Sequence, residues 1–398
     1  MQVLASQIKG YIANSSFIRK MFEVGIELKK KYGADKVYDF SLGNPDLPPP
    51  AAVGKALRRV ADRIGQPFVT GYMPNAGFPQ VREKVAKYAS VEQHTELAAS
   101  QVILTCGAAG GLNAFFRAVL EPGDEVICPA PYFVEYGFYA GNYGGVLKPV
   151  KSKPLTFDLD LDAIDAAITA KTKVVMINSP NNPTGKIYSR SELEGLSKIL
   201  ARHSAGRERP IYLMADEPYR FLNYDHVEIP SVFELHPYSV VISSYSKNLS
   251  LAGERIGYVA INPKMPEAVE LAGAVTLTNR ILGFVNAPVL AQYIVDEVLG
   301  TEIGIDIYNE RRLAMAKVLD QAGIKYTMPT GAFYFFPQTP LADDVEFCRL
   351  LTERNVLAVP GSGFGYPGYM RLAFCVDKGV IERSAPAFKQ VMDGLRGR

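Results

Sequence analysis

Short, continuous apolar runs recur through the middle of the chain, separated by stretches with helical spacing. Within each run, apolar residues follow one another instead of alternating with polar ones. Strands of this kind are buried on both faces, as in a parallel sheet that is covered by helical crossovers. We therefore predict an α/β protein with a large, mostly parallel sheet and helices on both of its faces. The predicted strands are residues 101–105, 125–128, 173–178, 211–215 and 239–243.

Polar residues stand where three of these strands are predicted to end. Asn178 closes the third run, Asp216 follows the fourth and Ser244 follows the fifth. In open parallel sheets, ligands bind beyond the carboxyl ends of the strands. We therefore expect the functional site at this edge of the sheet.

The chain has 398 residues, which exceeds the roughly 250–300 residues that one hydrophobic core usually serves, so two domains are expected. The predicted sheet lies in a large domain of residues 46–285. The pattern then changes, and a smaller α+β domain is predicted for residues 286–398, with residues 1–45 packed against it. Its expected elements are a helical stretch over 288–323, β-prone residues 332–336, a helix near 344–354 and a strand at 370–374.

Charge and composition argue against several classes of protein. The net charge of +2 predicts no attraction to nucleic acid. The chain contains no apolar run of roughly 18 residues that could span a membrane, and its N-terminus lacks the apolar core of a signal peptide. The four cysteines lie far apart and only four histidines occur, so we expect neither disulfides nor a metal site. These features predict a cytoplasmic protein.

Residues 243–248, Ser-Ser-Tyr-Ser-Lys-Asn, suggest a specific cofactor. Lys247 could form an imine with an aldehyde, while Ser244 and Arg255 could bind a phosphate near it. Pyridoxal 5′-phosphate carries both groups and is held by such a Schiff base. The spacing alone is weak support, because hydroxyl–lysine combinations are common on solvated loops.

Other predicted strand ends could supply the further partners that this cofactor needs. The ring nitrogen needs a buried carboxylate, which Asp216 could provide, and a charged partner is expected because an unpaired buried carboxylate is costly. The phenolic oxygen needs hydrogen-bond donors, for which Asn182 and Tyr219 are candidates. Either Tyr132 or Phe133 could stack on the ring, although an isolated aromatic residue there is more often part of the core.

The cofactor's phosphate needs backbone amides at a helix N-terminus, together with positive charge. Residues 107–111, Gly-Ala-Ala-Gly-Gly, lie between a predicted strand and a predicted helix, which suits this role. The same stretch could equally be a tight turn that binds nothing.

These motifs occur in an order that resembles one enzyme family. The chain is similar to the class I aminotransferases, the aspartate aminotransferase family of fold type I, from about residue 38 to residue 380. The resemblance implies a pyridoxal-phosphate-dependent enzyme with a large sheet domain and a smaller α+β domain. The matching segments are 42–46, 71–72, 179–185 (Asn-Pro-x-Gly), 216–219 (Asp-x-x-Tyr), 244–247 with Arg255 (the cofactor lysine) and 370–374 (Arg-x-x-Phe).

The resemblance implies a role for each residue that matches a motif. Lys247 would hold the cofactor and move a proton between the substrate Cα and the cofactor. Asp216 would pair with the ring nitrogen, while Asn182 and Tyr219 would bind the phenolic oxygen. The implied catalytic residues are Lys247, Asp216 and Tyr219. The implied cofactor-binding residues are Tyr72, Ala108, Ala109, Tyr132, Phe133, Asn182, Asp216, Tyr219, Ser244, Lys247 and Arg255.

The same resemblance implies a substrate site and a dimer. Arg371 would bind the substrate α-carboxylate through both oxygens, helped by Asn182 and the backbone near Gly43. Tyr72 would reach the phosphate of the other subunit, which makes the active unit a homodimer. In the implied reaction, an L-amino acid such as aspartate gives its amino group to a 2-oxo acid such as 2-oxoglutarate.

The identity of the amino donor stays open. Some aspartate-specific relatives have a lysine where this chain has Ala109. Many relatives also carry hydroxyl side chains in this loop, whereas this chain has Gly107 and Ala108 there. Arg280 could bind a dicarboxylate side chain across the dimer interface, or it could be a surface arginine. Aromatic residues such as Phe133 leave an aromatic or alanine-type aminotransferase as an alternative. A pyridoxal-phosphate-dependent β-lyase on the same fold is a further alternative.

Overall fold

The computed structural model describes residues 3–13, 17–301 and 303–396. Its helices are α1 (Ser6–Ala13), α2 (Phe17–Tyr32), α3 (Ala51–Arg63), α4 (Pro79–Glu92), α5 (Gly107–Val119), α6 (Glu135–Gly141), α7 (Leu161–Ala167), α8 (Arg190–Ser204), α9 (Val232–Leu235), α10 (Ala268–Ile281), α11 (Val289–Val298), α12 (Ile305–Ala322), α13 (Asp344–Thr352) and α14 (Lys378–Arg396). Its strands are β1 (Tyr38–Asp39), β2 (Val102–Thr105), β3 (Glu125–Ala130), β4 (Val146–Lys151), β5 (Thr172–Asn178), β6 (Tyr212–Asp216), β7 (Ser239–Ser244), β8 (Gly257–Ile261), β9 (Tyr334–Phe335), β10 (Val356–Leu357), β11 (Val359–Pro360) and β12 (Met370–Ala373).

A seven-stranded sheet with strand order β2-β8-β7-β6-β5-β3-β4 forms the centre of the structure. Strands β3 to β7 run parallel to one another, whereas β8 is antiparallel to both β2 and β7. All five strands predicted from the sequence belong to this sheet, so the predicted mostly parallel sheet is confirmed. Strand β4 has no continuous apolar run because it lies at the edge of the sheet, where part of it is exposed.

Alternate side chains of the central strands enter two separate hydrophobic cores. Val175 of β5 packs into one core together with Leu196 of α8. Val174 packs on the opposite face, in a core that also contains Phe115 of α5. Because helices cover both faces, an apolar residue is favourable at every position of these strands, which explains the continuous apolar runs.

The C-terminal part of the chain has a core of its own. Helices α12 and α14 pack closely together, and their core includes Leu319, Phe335 and Leu372. Strand β12 pairs antiparallel with β11 and β9, while β1 pairs parallel with β10 and so joins the N-terminal part to this region. The predicted α+β character is confirmed. The division into residues 46–285 and the two flanking ranges stays a prediction.

The helical stretch predicted over residues 288–323 consists of two helices. Helix α11 ends at Val298 and α12 begins at Ile305. In the connection, the backbone nitrogen of Ile303 donates a hydrogen bond of 3.0 Å to the Asn248 carbonyl oxygen, and the Ile303 side chain is buried. This tertiary contact, next to two helix-weakening glycines (Gly300 and Gly304), replaces the helical hydrogen bonds.

In the described ranges no helix has the length and apolar character needed to cross a membrane. The same ranges contain no cluster of three or more His, Cys, Asp or Glu side chains that could hold a metal ion. All four cysteines are unpaired. The cytoplasmic location expected from the sequence stays a prediction.

Gly257 is a position where any side chain would strain the fold. A Cβ atom at this first residue of β8 would lie 2.5 Å from the Ser243 carbonyl oxygen and 2.9 Å from the Ala108 nitrogen. Gly257→Ala is expected to destabilise the protein by about 1–3 kcal/mol, as overpacking substitutions do. The measurement is the thermal unfolding temperature by calorimetry.

Gly273→Ala is the matched control for this prediction. Gly273 is exposed on α10, and a Cβ atom there would have no neighbour within 4 Å. This variant is expected to be as stable as the parent protein or slightly more stable, because alanine favours a helix by about 1 kcal/mol over glycine. Equal unfolding temperatures for the two variants would contradict the close approach at Gly257.

Candidate functional site

A cavity of about 330 Å³ lies at the carboxyl ends of β5, β6 and β7. This is the edge of the sheet at which the site is expected from the sequence. Most of the predicted site residues line this cavity, although they come from segments far apart in the chain. They are Gly43, Ala108, Ala109, Phe133, Asn182, Asp216, Tyr219, Ser244, Lys247, Arg255 and Arg371.

Three predicted site residues lie outside this cavity. Tyr72 is 94% exposed. Tyr132 is partly buried, and its backbone nitrogen donates a hydrogen bond of 3.1 Å to the Phe364 carbonyl oxygen, so Phe133 is the aromatic residue that lines the cavity. Arg280 is exposed in the last turn of α10. Any contact that Tyr72 or Arg280 makes with a ligand requires a second chain or a rearrangement.

Lys247 follows β7 and projects into the cavity. Its Nζ donates a hydrogen bond of 2.7 Å to the Gly43 carbonyl oxygen. Burial lowers the pKa of Lys247 to about 8, an effect that the nearby Cys375 opposes and that Arg371 and Arg255 reinforce. An appreciable fraction of this amine is therefore neutral near neutral pH, and the neutral form is the nucleophilic one.

Asp216 ends β6 and is buried. One oxygen, Oδ2, accepts a hydrogen bond of 2.5 Å from the Tyr136 hydroxyl, whereas Oδ1 is buried without a hydrogen-bond partner. Burial raises the pKa of Asp216 to about 7; the Tyr136 hydrogen bond opposes this shift and the neighbouring Glu217 adds to it. An unsatisfied buried carboxylate oxygen is costly, so this site suits a ligand with an N–H or cationic donor.

Arg371 lies on β12 and is 2% exposed. Its Nη1 donates a hydrogen bond of 3.2 Å to Asn182 Oδ1 and its Nη2 one of 2.5 Å to the Ser41 carbonyl oxygen, while Nε has no partner. The guanidinium carbon lies 4.9 Å from the ring centroids of both Tyr334 and Phe364. Arg371 makes no ion pair with any residue that the structure describes, so its charge remains available to an anionic ligand.

The other end of the cavity is suited to a phosphate group. Helix α5 begins at Gly107, and the amides of Ala108 and Ala109 are in its first turn. The Arg255 guanidinium approaches so closely that a Cβ atom at Gly107 would lie 2.7 Å from Arg255 Nη2. Ser244, at the end of β7, completes this end of the cavity. Amides at a helix N-terminus, a hydroxyl and a guanidinium are the groups that bind phosphate.

The residues of the cavity therefore fit pyridoxal phosphate. The unsatisfied Oδ1 of Asp216 could accept a hydrogen bond from the ring nitrogen. Lys247 offers an amine with a lowered pKa, and the start of α5 with Arg255 offers a phosphate site. All of these donor and acceptor atoms belong to this chain.

Several interactions in the cavity were not predicted from the sequence. The hydrogen bond from Tyr136 to Asp216 could not be predicted, because α6 carries no motif that marks it. Tyr334 lies on β9, and its hydroxyl is 2.9 Å from the hydroxyl of Tyr219. Asn178 Nδ2 donates a hydrogen bond of 2.7 Å to the Asp216 carbonyl oxygen. The position of Asn178 at a predicted strand end was the sequence feature that could have indicated its place in the cavity.

Comparison with known proteins identifies related chains. A family model described as aminotransferase class I and II matches residues 35–388. The chain is 32% identical to a probable aspartate/prephenate aminotransferase of Aquifex aeolicus, over 93% of this chain and 94% of the relative. It is 34% identical to an aspartate aminotransferase of Thermotoga maritima, over 96% and 97% of the two chains.

Two solved structures are also similar. An amino transferase from Eubacterium rectale superposes with a TM-score of 0.95 at 36% identity, covering 99% of each chain. An aspartate aminotransferase from Thermus thermophilus, solved with maleate, superposes with a TM-score of 0.88 at 29% identity, covering 98% of this chain and 100% of the other.

The lowered pKa of Lys247 predicts how the addition of pyridoxal phosphate to the cofactor-free protein depends on pH. Because the folded-state pKa is about 8 instead of the ordinary 10.5, the neutral amine is nearly fully formed by about pH 9. The addition rate is expected to rise about tenfold from pH 7 to pH 9 and then to level off. The measurement is stopped-flow absorbance of the bound cofactor. Lys247→Ala, which should show no covalent addition, is the control, and a rate that still climbs beyond about pH 10 would contradict the prediction.

Proposed function

The chain belongs to the aminotransferase class I and II family, and we propose that it moves the amino group of L-aspartate, or of an amino acid of similar charge, to a 2-oxo acid such as 2-oxoglutarate. The enzyme class, a pyridoxal-phosphate-dependent aminotransferase, follows from the family. The choice of a dicarboxylic donor is supported by relatives named aspartate aminotransferase. It is also supported by the Thermus thermophilus enzyme, which was solved with maleate, a dicarboxylate.

The observation that carries this proposal is the state of Arg371. This buried guanidinium has no carboxylate partner among the described residues and lines the same cavity as Lys247. Two aromatic rings and two hydrogen bonds restrict its motion, so little conformational entropy would be lost when it binds a ligand. An α-carboxylate held by Arg371 would place the substrate's Cα within the cavity that contains the amine.

The residues around the cofactor would each have one task. When bound, pyridoxal phosphate supplies an electron sink for the charge that develops at the substrate Cα. Asp216 would keep a proton on the ring nitrogen through its free Oδ1, and Tyr136 would hold Asp216 in place. Ser244, Arg255 and the amides of Ala108 and Ala109 would hold the phosphate, while Phe133 would pack on the ring.

Proton transfer would depend on Lys247. As a free amine, its Nζ would move the proton between the substrate Cα and the cofactor, a task for which an amine with a pKa near 8 is suited. Tyr219 and Asn182 would bind the phenolic oxygen, and Asn182 would also hold Arg371 through Oδ1. Because Asn182 would contact both groups, it would fix the position of the carboxylate site relative to the cofactor.

We further propose that the active unit is a homodimer. Tyr72 and Phe68 are 94% and 92% exposed, although both are large aromatic residues. In a dimer, Tyr72 would complete the phosphate site of the partner, and Arg280 would bind the distal carboxylate of its substrate. This arrangement would account for the position of both residues outside the cavity of their own chain.

A single half-reaction tests the proposed function. The purified holoenzyme is mixed with L-aspartate in the absence of any 2-oxo acid, and the cofactor spectrum and the products are followed. We expect loss of the yellow absorbance and release of one oxaloacetate per active site. Release of pyruvate and ammonia from a cysteine conjugate, without loss of the yellow absorbance, would instead indicate a β-lyase.

Arg371→Lys is expected to lower kcat/KM about 100-fold for every amino donor, because an ammonium cannot form the paired hydrogen bonds of a guanidinium. The measurement is steady-state kinetics with aspartate and with alanine. Unchanged cofactor absorbance would show that the variant folds and binds pyridoxal phosphate. A loss confined to aspartate would contradict the proposed α-carboxylate role.

Arg280→Ala is expected to affect only substrates that carry a second, distal carboxylate. The KM for L-aspartate should rise at least about tenfold, since one charged contact is lost, while kinetics with L-alanine should not change. The matched control is Arg63→Ala on α3, another helical arginine that lies outside the cavity. An unchanged KM for aspartate would remove Arg280 from the substrate site and favour an aromatic or alanine-type donor.

A further inference from the structure

A second cleft lies at the opposite edge of the central sheet, near the amino ends of β5, β6 and β7. It has a volume of about 480 Å³ and shares no lining residue with the cavity that contains Lys247. The end of α5, the start of α10 and the beginnings of the strands form its walls. The cleft therefore requires an explanation separate from the proposed active site.

Lys173 lies on β5 in the wall of this cleft and is only 6% exposed. Its side chain makes no hydrogen bond or ion pair within the described part of the chain, and its Nζ lies 5.2 Å from the ring centroid of Tyr212, a cation–π contact. Burial lowers the pKa of Lys173 to about 8; Arg209 adds to this shift, while Asp124 and Glu121 oppose it. A buried ammonium without a hydrogen-bond or carboxylate partner is costly, and an anionic ligand group would relieve that cost.

The neighbouring Arg209 does not need an anionic ligand in the same way. It forms ion pairs with Asp124 at 2.9 Å and with Glu121 at 3.0 Å. In the buried part of the cleft, Lys173 is therefore the cation that lacks an ion pair with a described residue.

Acidic side chains stand on the other side of the cleft. Glu267 and Glu270 are exposed at the start of α10, and neither forms an ion pair with a described residue. Both are close enough to contribute to a raised pKa of Tyr212, which is caused mainly by burial. The cleft thus offers an anionic side and a cationic side, which disfavours a multiply charged anion such as a phosphate.

The remaining wall is apolar and aromatic. The rings of Tyr212 and Tyr238 meet edge to face with their centroids 6.5 Å apart, and Leu271 and Ala274 of α10 also line the cleft. A surface of this kind accepts an apolar or aromatic side chain.

We propose that this cleft is a second binding site, which takes a free amino acid with an apolar or aromatic side chain in its zwitterionic form. The ligand carboxylate binds Lys173, and its ammonium group binds Glu267 or Glu270. Its side chain packs against Tyr212 and Tyr238. This arrangement pairs the buried Lys173 and one of the two exposed acids at the same time, which neither a simple anion nor a simple cation does.

The experiment uses the holoenzyme and α-methyl-L-tyrosine, which cannot be transaminated because its Cα carries no hydrogen. Calorimetry measures the total number of molecules bound per chain, and the absorbance of the bound cofactor reports occupancy of the active site. We expect one molecule per chain that binds without changing the cofactor absorbance, in addition to any molecule that binds in the active site and changes it. Binding events that all change the absorbance, or no binding at all, would overturn the proposal.

Variants test whether the molecule that leaves the absorbance unchanged is bound in the cleft. Lys173→Met is expected to weaken the binding event that leaves the absorbance unchanged by about 10- to 100-fold, because one charged contact is lost. Binding in the active site should not change. Lys171→Met is the matched control, because Lys171 is exposed two residues away and does not line the cleft. The double variant Glu267→Gln/Glu270→Gln provides a second test that leaves Lys173 in place, with an expected weakening of about 10-fold. If either Lys173→Met or the double variant leaves the event unchanged, the proposal is wrong.

Discussion

The structure depends on burying charges that the protein itself does not neutralise. Asp216 and Arg371 are buried and Lys247 is partly buried in one cavity, and none of them has an ion-pair partner among the described residues. Such burial lowers the stability of the folded state. The two cores on the faces of the sheet must offset this cost in the empty protein. A ligand that carries both a cationic ring nitrogen and anionic groups returns part of that free energy on binding.

The cavity joins two differently built parts of the molecule. Lys247 and Asp216 stand at strand ends of the central sheet, whereas Arg371 and Tyr334 belong to the small sheet of the C-terminal part. Two contacts connect these groups, namely the hydrogen bond from Arg371 to Asn182 and the pairing of the Tyr334 and Tyr219 hydroxyls. The geometry of the site therefore depends on how the two parts pack, and not on either part alone.

The sequence predicted what depends on local pattern and missed what depends on packing. Continuous apolar runs gave the strands because both faces of the sheet are buried. The motif residues Asn182, Asp216 and Lys247 came together in the cavity because they stand at or just after the ends of neighbouring strands. The role of Tyr136 was beyond prediction, since its hydrogen bond to Asp216 joins positions 80 apart in sequence without a shared pattern. The break between α11 and α12 was missed for a similar reason, because a contact with Asn248 determines it.

The hydrogen bond between Arg371 and the Ser41 carbonyl oxygen joins residues that are 330 positions apart in sequence. During synthesis, Ser41 leaves the ribosome long before Arg371 has been made, so the carboxylate site cannot form on a growing chain. Contacts of such separation are slow to form and leave intermediate states exposed for longer. Binding competence is thus a property of the finished polypeptide, and a truncated chain that keeps the sheet and Lys247 would lack the group that recognises the substrate.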